Sequence, residues 1–292
     1  MITACLHAEP ALPTSRLCEV MDVSRSWYYA RPAAQAPTEE DIRLRDAIER
    51  IILEQPGYGY RRVTHQLGRD GWAINHKRVL RIMRKESLLC RLKKRFVATT
   101  DSDHAHRVYP NLMKTFVPVE CNQAWVADIT YIRLPGSFCF LAAILDAFSR
   151  LCVGWHLSEE IDTQLTLAAL EKAIVLRNPP AGLIHHSDRG VQYASGDYIK
   201  RLEQIGALPS MSRVGNPYDN AKAESFFKTL KREEVYLNDY PTMAEAQANI
   251  ARFIEEVYNQ KRLHSSLGYL PPVEFEAMQN TNTAMLPIRI YV

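Results

Sequence analysis

The sequence lacks the features that mark membrane and secreted proteins. It contains no run of about 18 uncharged apolar residues, the length that a membrane-spanning helix needs, and residues 1–10 show no basic start followed by an apolar stretch. The six cysteines are scattered, and none forms a Cys-x-x-Cys pair of the kind found in zinc modules and redox sites. We therefore expect a cytoplasmic protein with reduced thiols and no membrane partner.

Glycine is also sparse, with 12 among 292 residues, whereas 47% of the residues are hydrophobic. This composition excludes a disordered chain and leaves room for one large domain or two ordinary ones. The net charge is only +3, but residues 41–100 contain 15 Lys and Arg against 6 Asp and Glu. Such a local basic excess indicates a nucleic-acid partner, although a solvated helix face would give the same composition.

The N-terminal third is predicted to be helical. Residues 15–30 are typical of a short helix, a turn and a second helix that Ser24 caps. Three further helices are expected after Pro37, and together they fit a helix-turn-helix DNA-binding unit at residues 37–95. They run from Asp41 to Gln55, from Tyr60 to Gly68 or Gly71, and from the N-cap Asn75 to about Ser87, and the first turns Ile42, Ile48, Ile51 and Ile52 inward.

The last of these helices has one apolar and one basic face. Val79, Leu80 and Met83 are expected to pack inward. The opposite face suits a helix lying in or along a DNA groove, with phosphate contact favoured over base reading. The predicted DNA-binding residues are Lys77, Arg78, Arg81, Arg84 and Lys85, followed by Lys93, Lys94 and Arg95 at the start of a basic linker that extends over residues 96–115.

From Gln123 onward the pattern changes to short apolar runs separated by turn residues. Strands are expected at 123–133, 138–146, 150–157, 182–187 and 207–211, and helices at 163–176, 195–205, 220–234 and 243–259. The first three strands follow one another with short connections, so we expect them to pair in antiparallel orientation. The order β-β-β-α-β-α-β-α predicts a mixed α/β sheet with helices on its faces.

Three carboxylates stand in distinctive surroundings. Asp128 occurs in WVADITY, Asp188 in HHSDRGVQY and Glu224 in DNAKAESFFKTLK. Each one alone has an ordinary interpretation, as an edge-strand polar residue, a turn former and a solvated helix position. An aspartate in the middle of an apolar strand is nevertheless costly without a partner or a metal ion.

In this order the three segments resemble the integrase-type catalytic core of bacterial insertion-sequence transposases. A fourth segment, YNQKRLHSSLGYLPP at residues 258–272, resembles the C-terminal signature of the same proteins. The resemblance implies a ribonuclease-H-like fold with a five-stranded sheet at residues 116–235, a helical extension at 236–292 and a short helical segment at 1–36. It also implies that Asp128, Asp188 and Glu224 are catalytic and bind two Mg²⁺ ions, for which Mn²⁺ can substitute.

Several residues near these motifs have more than one interpretation. Lys228 and Lys231 share a helix face with Glu224 and are expected to meet DNA phosphate, whereas Asp146 is expected to be structural. Residues 215–218 are expected to form a mobile loop before the catalytic helix. Asp219 and Asn220 are expected to cap that helix. One of His185 and His186 is expected to pack in the core, while the other makes hydrogen bonds near the metals. Arg262 and His264 are expected either to approach DNA or to brace the core.

The resemblance implies an enzyme that binds the terminal inverted repeats of its element, cleaves a 3′ strand end and joins it to target DNA. Such a protein is nucleoid-associated, forms a homo-oligomer on DNA and has the first-frame protein of the same element as a further possible partner. Two alternatives remain open: a catalytically silent DNA-binding regulator derived from a transposase, and a nuclease of the same fold that cuts without joining.

Overall fold

The computed structural model describes residues 13–26, 38–90, 107–212 and 220–285, with side chains through residue 280. The chain falls into two compact units, residues 1–47 and residues 48–292. Helix α1 (Thr14–Val20) lies in the first unit and buries Cys18. The second helix predicted for residues 15–30 lies mostly outside the described residues. Within the described ranges, no helix combines the length and apolarity that crossing a bilayer requires.

Three helices follow where a helix-turn-helix unit was predicted: α2 (Glu39–Glu54), α3 (Tyr60–Arg69) and α4 (His76–Lys85). The inward face predicted for α2 is wrong in part, because Ile42 is exposed and Ile52 only half-buried. The buried stripe is Leu44, Ile48 and Ile51. These positions follow the i, i+4, i+7 spacing of one helix face, from which Ile42 lies more than a quarter turn away.

Helix α4 has the two faces that the sequence predicts. Asn75 caps it, since its side-chain oxygen accepts a hydrogen bond of 2.8 Å from the backbone N–H of Lys77. Val79 and Met83 are fully buried, but Ile82 takes the place predicted for Leu80, which is only half-buried. On the outer side the exposed basic residues are Lys77, Arg81, Arg84 and Lys85, with Arg78 half-buried.

A five-stranded sheet forms the centre of the second unit. Its order is β3-β2-β1-β4-β5, with antiparallel pairing of β1 to β2 and β2 to β3, and parallel pairing of β1 to β4 and β4 to β5. This mixed arrangement is that of the ribonuclease-H-like fold, so the predicted fold class is confirmed. The strands are β1 (Ala124–Leu134), β2 (Ser137–Asp146), β3 (Cys152–Ser158), β4 (Ile184–Ser187) and β5 (Leu208–Met211).

Helices cover both faces of the sheet because alternate side chains of β1 point to opposite sides. Trp125 and Ala127 pack into one hydrophobic cluster with α5 (Thr163–Arg177) and α7 (Gly196–Gln204). A short helix, α6 (Val191–Ala194), precedes α7 and was not predicted. Helix α5 lies close against β3 at Gly154, where a Cβ atom would stand 2.8 Å from the Cβ of Ala173.

The other face is covered by α8 (Ala221–Leu230) and by the C-terminal extension. Helix α8 ends four residues before the predicted Glu234, because the chain widens into a π-helical turn, Lys231–Val235. The helix predicted for 243–259 likewise becomes α9 (Met243–Arg252) followed by a π-helical turn, Phe253–Tyr258. A further helix, α10 (Pro272–Met285), was not predicted.

The extension and the sheet share one hydrophobic core. Ile250, Phe253 and Tyr258 belong to the same buried cluster as Val126 of β1 and Phe226 of α8. Asn259 also pairs with the edge strand β3, where its side chain accepts a hydrogen bond from the backbone N–H of Cys152 and donates one to the carbonyl of the same residue. The segment after α8 therefore supports the sheet directly.

Candidate active site

Asp128 and Asp188 lie close to each other at one edge of the sheet. In the parallel pairing of β1 with β4, Val126 stands opposite His186. Asp188 directly follows β4, and its charge acts on Asp128 in the neighbouring strand β1. The carboxyl end of a parallel strand is where sheets of this kind place their ligands, so two carboxylates meet at a favourable position.

Asp128 is held in an environment that opposes its negative charge. One carboxylate oxygen accepts a hydrogen bond of 2.9 Å from the backbone N–H of Ile129. Burial raises the pKa of Asp128 well above its usual value, and the charges of Asp188 and Glu224 raise it further, while Lys231 acts in the opposite direction. The three carboxylates therefore influence one another electrostatically, and a cation would relieve their repulsion.

The turn after β4 orients Asp188. Its Oδ1 accepts a hydrogen bond of 2.9 Å from the backbone N–H of Gly190. A Cβ on Gly190 would stand only 3.0 Å from that oxygen, so the absence of a side chain permits the tight turn. Arg189 donates from Nε to the carbonyl of Ser212 at 2.8 Å, which ties the turn to the segment after β5.

Glu224 extends from α8, where it is exposed and where partial burial raises the pKa of its carboxyl group. Asn220 occupies the predicted N-cap position of this helix, but its side chain makes no capping hydrogen bond. Its amide instead donates a hydrogen bond of 3.1 Å to the carbonyl of Ala127, directly before Asp128. Asn220 thus anchors the start of α8 to β1, and Asp219 and the predicted mobile loop at residues 215–218 lie outside the described residues.

The donor set fits divalent cations such as Mg²⁺ in its chemistry, because all three side chains offer hard carboxylate oxygens. The raised pKa of Asp128 has the same implication, because burial and the neighbouring carboxylates outweigh the opposing charge of Lys231. The described part of the chain nevertheless contains no group of three His, Cys, Asp or Glu side chains drawn together closely enough to hold a metal ion. The three carboxylates lie near one edge of the sheet, but they do not surround a single metal position.

Two lysines follow Glu224, as predicted. Lys228 is exposed on α8. Lys231 opens the π-helical turn, and its ammonium group lies 4.4 Å from the centre of the Tyr131 ring. Burial lowers the pKa of Lys231, whereas the nearby charge of Asp128 raises it. Lys231 therefore belongs to the electrostatic environment of the site.

Both histidines of β4 are buried, and each one forms hydrogen bonds with neighbouring side chains. His185 Nε2 lies 3.0 Å from the hydroxyl of Tyr198, and burial lowers the pKa of His185 to about 3. The ring nitrogens of His186 lie 2.8 Å and 3.1 Å from the hydroxyls of Ser210 and Ser212. Both imidazoles thus have partners on neighbouring elements of the sheet.

Asp146 has the structural role that the sequence predicts. It is completely buried at the end of β2. Its carboxylate accepts hydrogen bonds from the backbone N–H groups of Asn122, Phe148 and Ser149, at 2.6, 2.8 and 3.0 Å. These contacts hold the turn between β2 and β3, and they occupy both oxygens.

Arg262 braces the core instead of facing outward. Its guanidinium group makes two hydrogen bonds, of 2.7 and 2.8 Å, to the carboxylate of Glu233, and both side chains are almost fully buried. A Cβ on Gly57, in the loop before α3, would overlap the Glu233 side chain. This ion pair therefore joins the turn after α8 to the C-terminal signature and packs against the loop before α3.

The C-terminal signature also contacts α3 directly, and this contact was not predicted from the sequence. Tyr58 accepts a hydrogen bond of 2.8 Å from the backbone N–H of Leu263, and Arg62 donates one of 3.0 Å to its carbonyl. The rings of His65 and Tyr269 stack at 3.6 Å. We call this set of contacts the α3–signature contact. No local pattern could have predicted it, because Arg62 and Leu263 are 201 positions apart.

Protein-family models match most of this chain. Integrase core domain models match residues 118–217 and 206–272, and an HTH-like domain model matches residues 39–96. The chain is 40% identical to the insertion element IS600 uncharacterized 31 kDa protein of Shigella sonnei, over 89% of this chain and 97% of that protein. It is 39% identical to the transposase for insertion sequence element IS904 of Lactococcus lactis, over 85% of this chain and 98% of that protein.

Among solved structures, the magnesium complex of the HTLV-2 integrase catalytic core domain is similar to this chain with a TM-score of 0.44 and 18% sequence identity. The similarity covers 54% of this chain and 98% of that one.

Proposed function

Because the chain belongs to the insertion-sequence transposases with an integrase core domain, we propose that it binds its element's terminal inverted repeats, cleaves a 3′ strand end and joins that end to target DNA. The observation that carries this proposal is that the charges of Asp188 and Glu224 both act on Asp128. A regulator that only bound DNA would have no use for three carboxylates that repel one another.

In the proposed mechanism Asp128, Asp188 and Glu224 hold divalent cations, Mg²⁺ or Mn²⁺. When bound there, two such ions supply the positive charge that activates an attacking hydroxyl and stabilises the leaving oxygen during in-line displacement at phosphorus. The two aspartates keep fixed positions because Asp128 lies within β1 and Asp188 directly follows β4, which pairs with β1, while Glu224 approaches from a helix. Lys228 and Lys231 bind and orient the phosphate beside the carboxylates.

The DNA is proposed to be recognised by the basic outer face of α4. Its exposed residues Lys77, Arg81, Arg84 and Lys85 are placed to contact phosphates, and Arg78 extends the same surface. The further predicted contacts Lys93, Lys94 and Arg95 lie outside the described residues and remain part of the proposal. Assembly as a homo-oligomer on DNA, and cooperation with the first-frame protein of the same element, complete the proposed activity.

A joining assay tests the proposal. A duplex that ends in the element's terminal repeat with a free 3′-hydroxyl is incubated with the full chain, Mg²⁺, any first-frame partner and a supercoiled plasmid. We expect a covalent repeat–plasmid junction, because the same metal-bound arrangement accepts water or a DNA hydroxyl as nucleophile. Nicked plasmid without junctions would favour the nuclease, and repeat binding without any nick would favour the regulator.

Paired lysine variants refine that test. Lys228→Ala with Lys231→Ala should reduce joining by at least tenfold while changing metal binding less, because these cations contact DNA and do not coordinate metal. Lys172→Ala with Lys200→Ala is the matched control, since both residues are exposed and lie on helices that cover the other face of the sheet. Equal effects of the two pairs would remove Lys228 and Lys231 from the DNA-binding role.

A further inference from the structure

A groove of about 840 Å³ runs along the flank of α8, next to the face that carries Glu224. One wall is formed by residues 113–118, and another by Tyr258 and residues 264–266 of the C-terminal signature. Ala221, Lys222 and Ser225 line it from α8. None of the residues predicted to bind DNA from the sequence belongs to this groove.

The groove opens beside the carboxylates. Val126 lies in its lining and stands two positions before Asp128 on the same face of β1, which corresponds to about 7 Å along the strand. Ser225 lines the groove and directly follows Glu224 in α8. A DNA strand whose phosphate lies at the carboxylates would therefore pass close to the groove.

Three cations give the groove its charge: Lys114, Arg150 and Lys222. Among the residues that the structure describes, no carboxylate forms an ion pair with any of them. Asp146 is close enough for its charge to act on Lys222. Its carboxylate accepts hydrogen bonds from the backbone N–H groups of the β2–β3 turn and keeps its charge, so it offsets at most one of the three positive charges of the groove.

Keeping Arg150 and Lys222 half-buried is unfavourable for the protein alone. Burial lowers the pKa of Arg150. Arg150 also adopts a left-handed backbone conformation, with φ of 66°, where Gly or Asn is the usual residue. An anionic ligand would offset the desolvation and would explain an arginine at this strained position.

His264 helps to define which ligand the groove accepts. It is buried in the wall, and burial lowers its pKa to about 3, so it is neutral at physiological pH. The cationic contacts are therefore confined to Lys114, Arg150 and Lys222, while Ser225 offers a hydroxyl group. A backbone phosphate offers the negative charge and the acceptor oxygens that these cations and the hydroxyl group can bind.

We propose that the groove binds a backbone phosphate of the DNA strand on which the carboxylates act, through Arg150 and Lys222, with Ser225 as a hydroxyl donor. This inference rests on the proposed function and adds a DNA contact that lies outside both the α4 face and the Lys228–Lys231 pair. The contact is independent of base sequence, because only the phosphate is bound. It holds the strand beside the reacting phosphate.

The test compares Arg150→Gln with Lys222→Gln, as a double variant of the full chain, against Arg133→Gln with Lys200→Gln. The control residues are one exposed arginine and one exposed lysine on β1 and α7. Affinity for a labelled duplex is measured over a range of salt concentrations. The groove variant should bind every sequence more weakly, and the slope of log affinity against log salt should become shallower by about 0.9, the value for one lost phosphate contact. The control should retain the wild-type slope.

The melting temperature without DNA separates binding from folding. Because partial burial disfavours the charges of Arg150 and Lys222 in the free protein, the groove variant should melt at the same or a higher temperature than the wild type. A lower melting temperature together with weaker binding would mean that the residues support the fold, and the proposal would be overturned. An unchanged salt slope would overturn it as well.

Two further outcomes distinguish the ligand and the underlying function. If inorganic phosphate binds the wild type but not the groove variant, while the two have equal DNA affinities and salt slopes, the groove takes a small anion and the DNA proposal is wrong. If the wild type joins DNA but the groove variant keeps its slope, only the groove inference fails. If the slope shifts but the wild type yields no joined product, the proposed function fails while the groove contact stands.

Discussion

Replacing Asp128 by Asn should abolish DNA cleavage and, without metal, make the protein more stable. The amide keeps the shape and the oxygen that accepts from the backbone N–H of Ile129. It loses the charge that burial and the neighbouring carboxylates oppose. Removing an uncompensated buried charge is worth about 1–3 kcal/mol on mutational scales. For a protein of this size each kcal/mol corresponds to roughly 2–4 °C in melting temperature.

The direction of the pH dependence follows from the same shift. Because the folded pKa of Asp128 lies above its unfolded value, the contribution of this group to stability is complete below the unfolded pKa of about 3.9 and is lost as pH rises through the folded value. The wild type should therefore lose stability relative to the Asn variant as pH increases in that window. Above both values, each pKa unit of the shift is worth about 1.4 kcal/mol.

Thermal unfolding in a chelator, repeated from pH 4 to about pH 8, measures this difference, with exposed Asp239→Asn as the control. Adding Mg²⁺ should reverse the order. A ligand at about 100 times its dissociation constant stabilises the native state by roughly 2.7 kcal/mol, and the variant should gain much less. A metal-free variant that is no more stable than the wild type would refute the electrostatic reasoning. Cleavage at a tenth of the wild-type rate or more would remove Asp128 from the site.

Two predictions concern the residues that support the site. Arg262→Met should lower the free energy of unfolding in urea by about 3–5 kcal/mol, because it leaves the buried Glu233 carboxylate without its partner. The double variant with Glu233→Gln should recover much of this loss. A double variant as unstable as the single one would contradict this account. Asp146→Asn should lower the free energy of unfolding by about 1–3 kcal/mol, because it weakens the hydrogen bonds to the backbone of its turn. The variant should still cleave DNA at temperatures well below its melting temperature. Loss of cleavage in the folded variant would mean that Asp146 takes part in the reaction.

Local sequence patterns predict the sheet well because each strand carries its own signal. The strands around Asp128 and Asp188 are short apolar runs bounded by turn residues, and their observed ends fall within a few positions of the predicted ones. The two aspartates could be placed at one edge of the sheet for the same reason. Their proximity follows once β1 and β4 are known to be parallel neighbours.

The errors arise where distant contacts decide the local structure. Helix α8 gives way to a π-helical turn in which Glu233 contacts Arg262 and Glu234 contacts Tyr240, and neither partner is local to the predicted helix. Asn220 has the sequence of a helix cap, but the carbonyl of Ala127 takes its amide. The left-handed conformation of Arg150 likewise has no signal in the residue type, which normally avoids it.

The α3–signature contact constrains how such proteins can be recombined. A hybrid that takes residues 1–90 from another element would bring foreign side chains to meet Leu263 and Tyr269, and would have to supply equivalents of Tyr58, Arg62 and His65. Exchange of the N-terminal third alone should therefore yield poorly docked hybrids, whereas a graft that also carries residues 258–272 preserves the matched surfaces. Such proteins are accordingly easier to change gradually within one chain than by shuffling their parts.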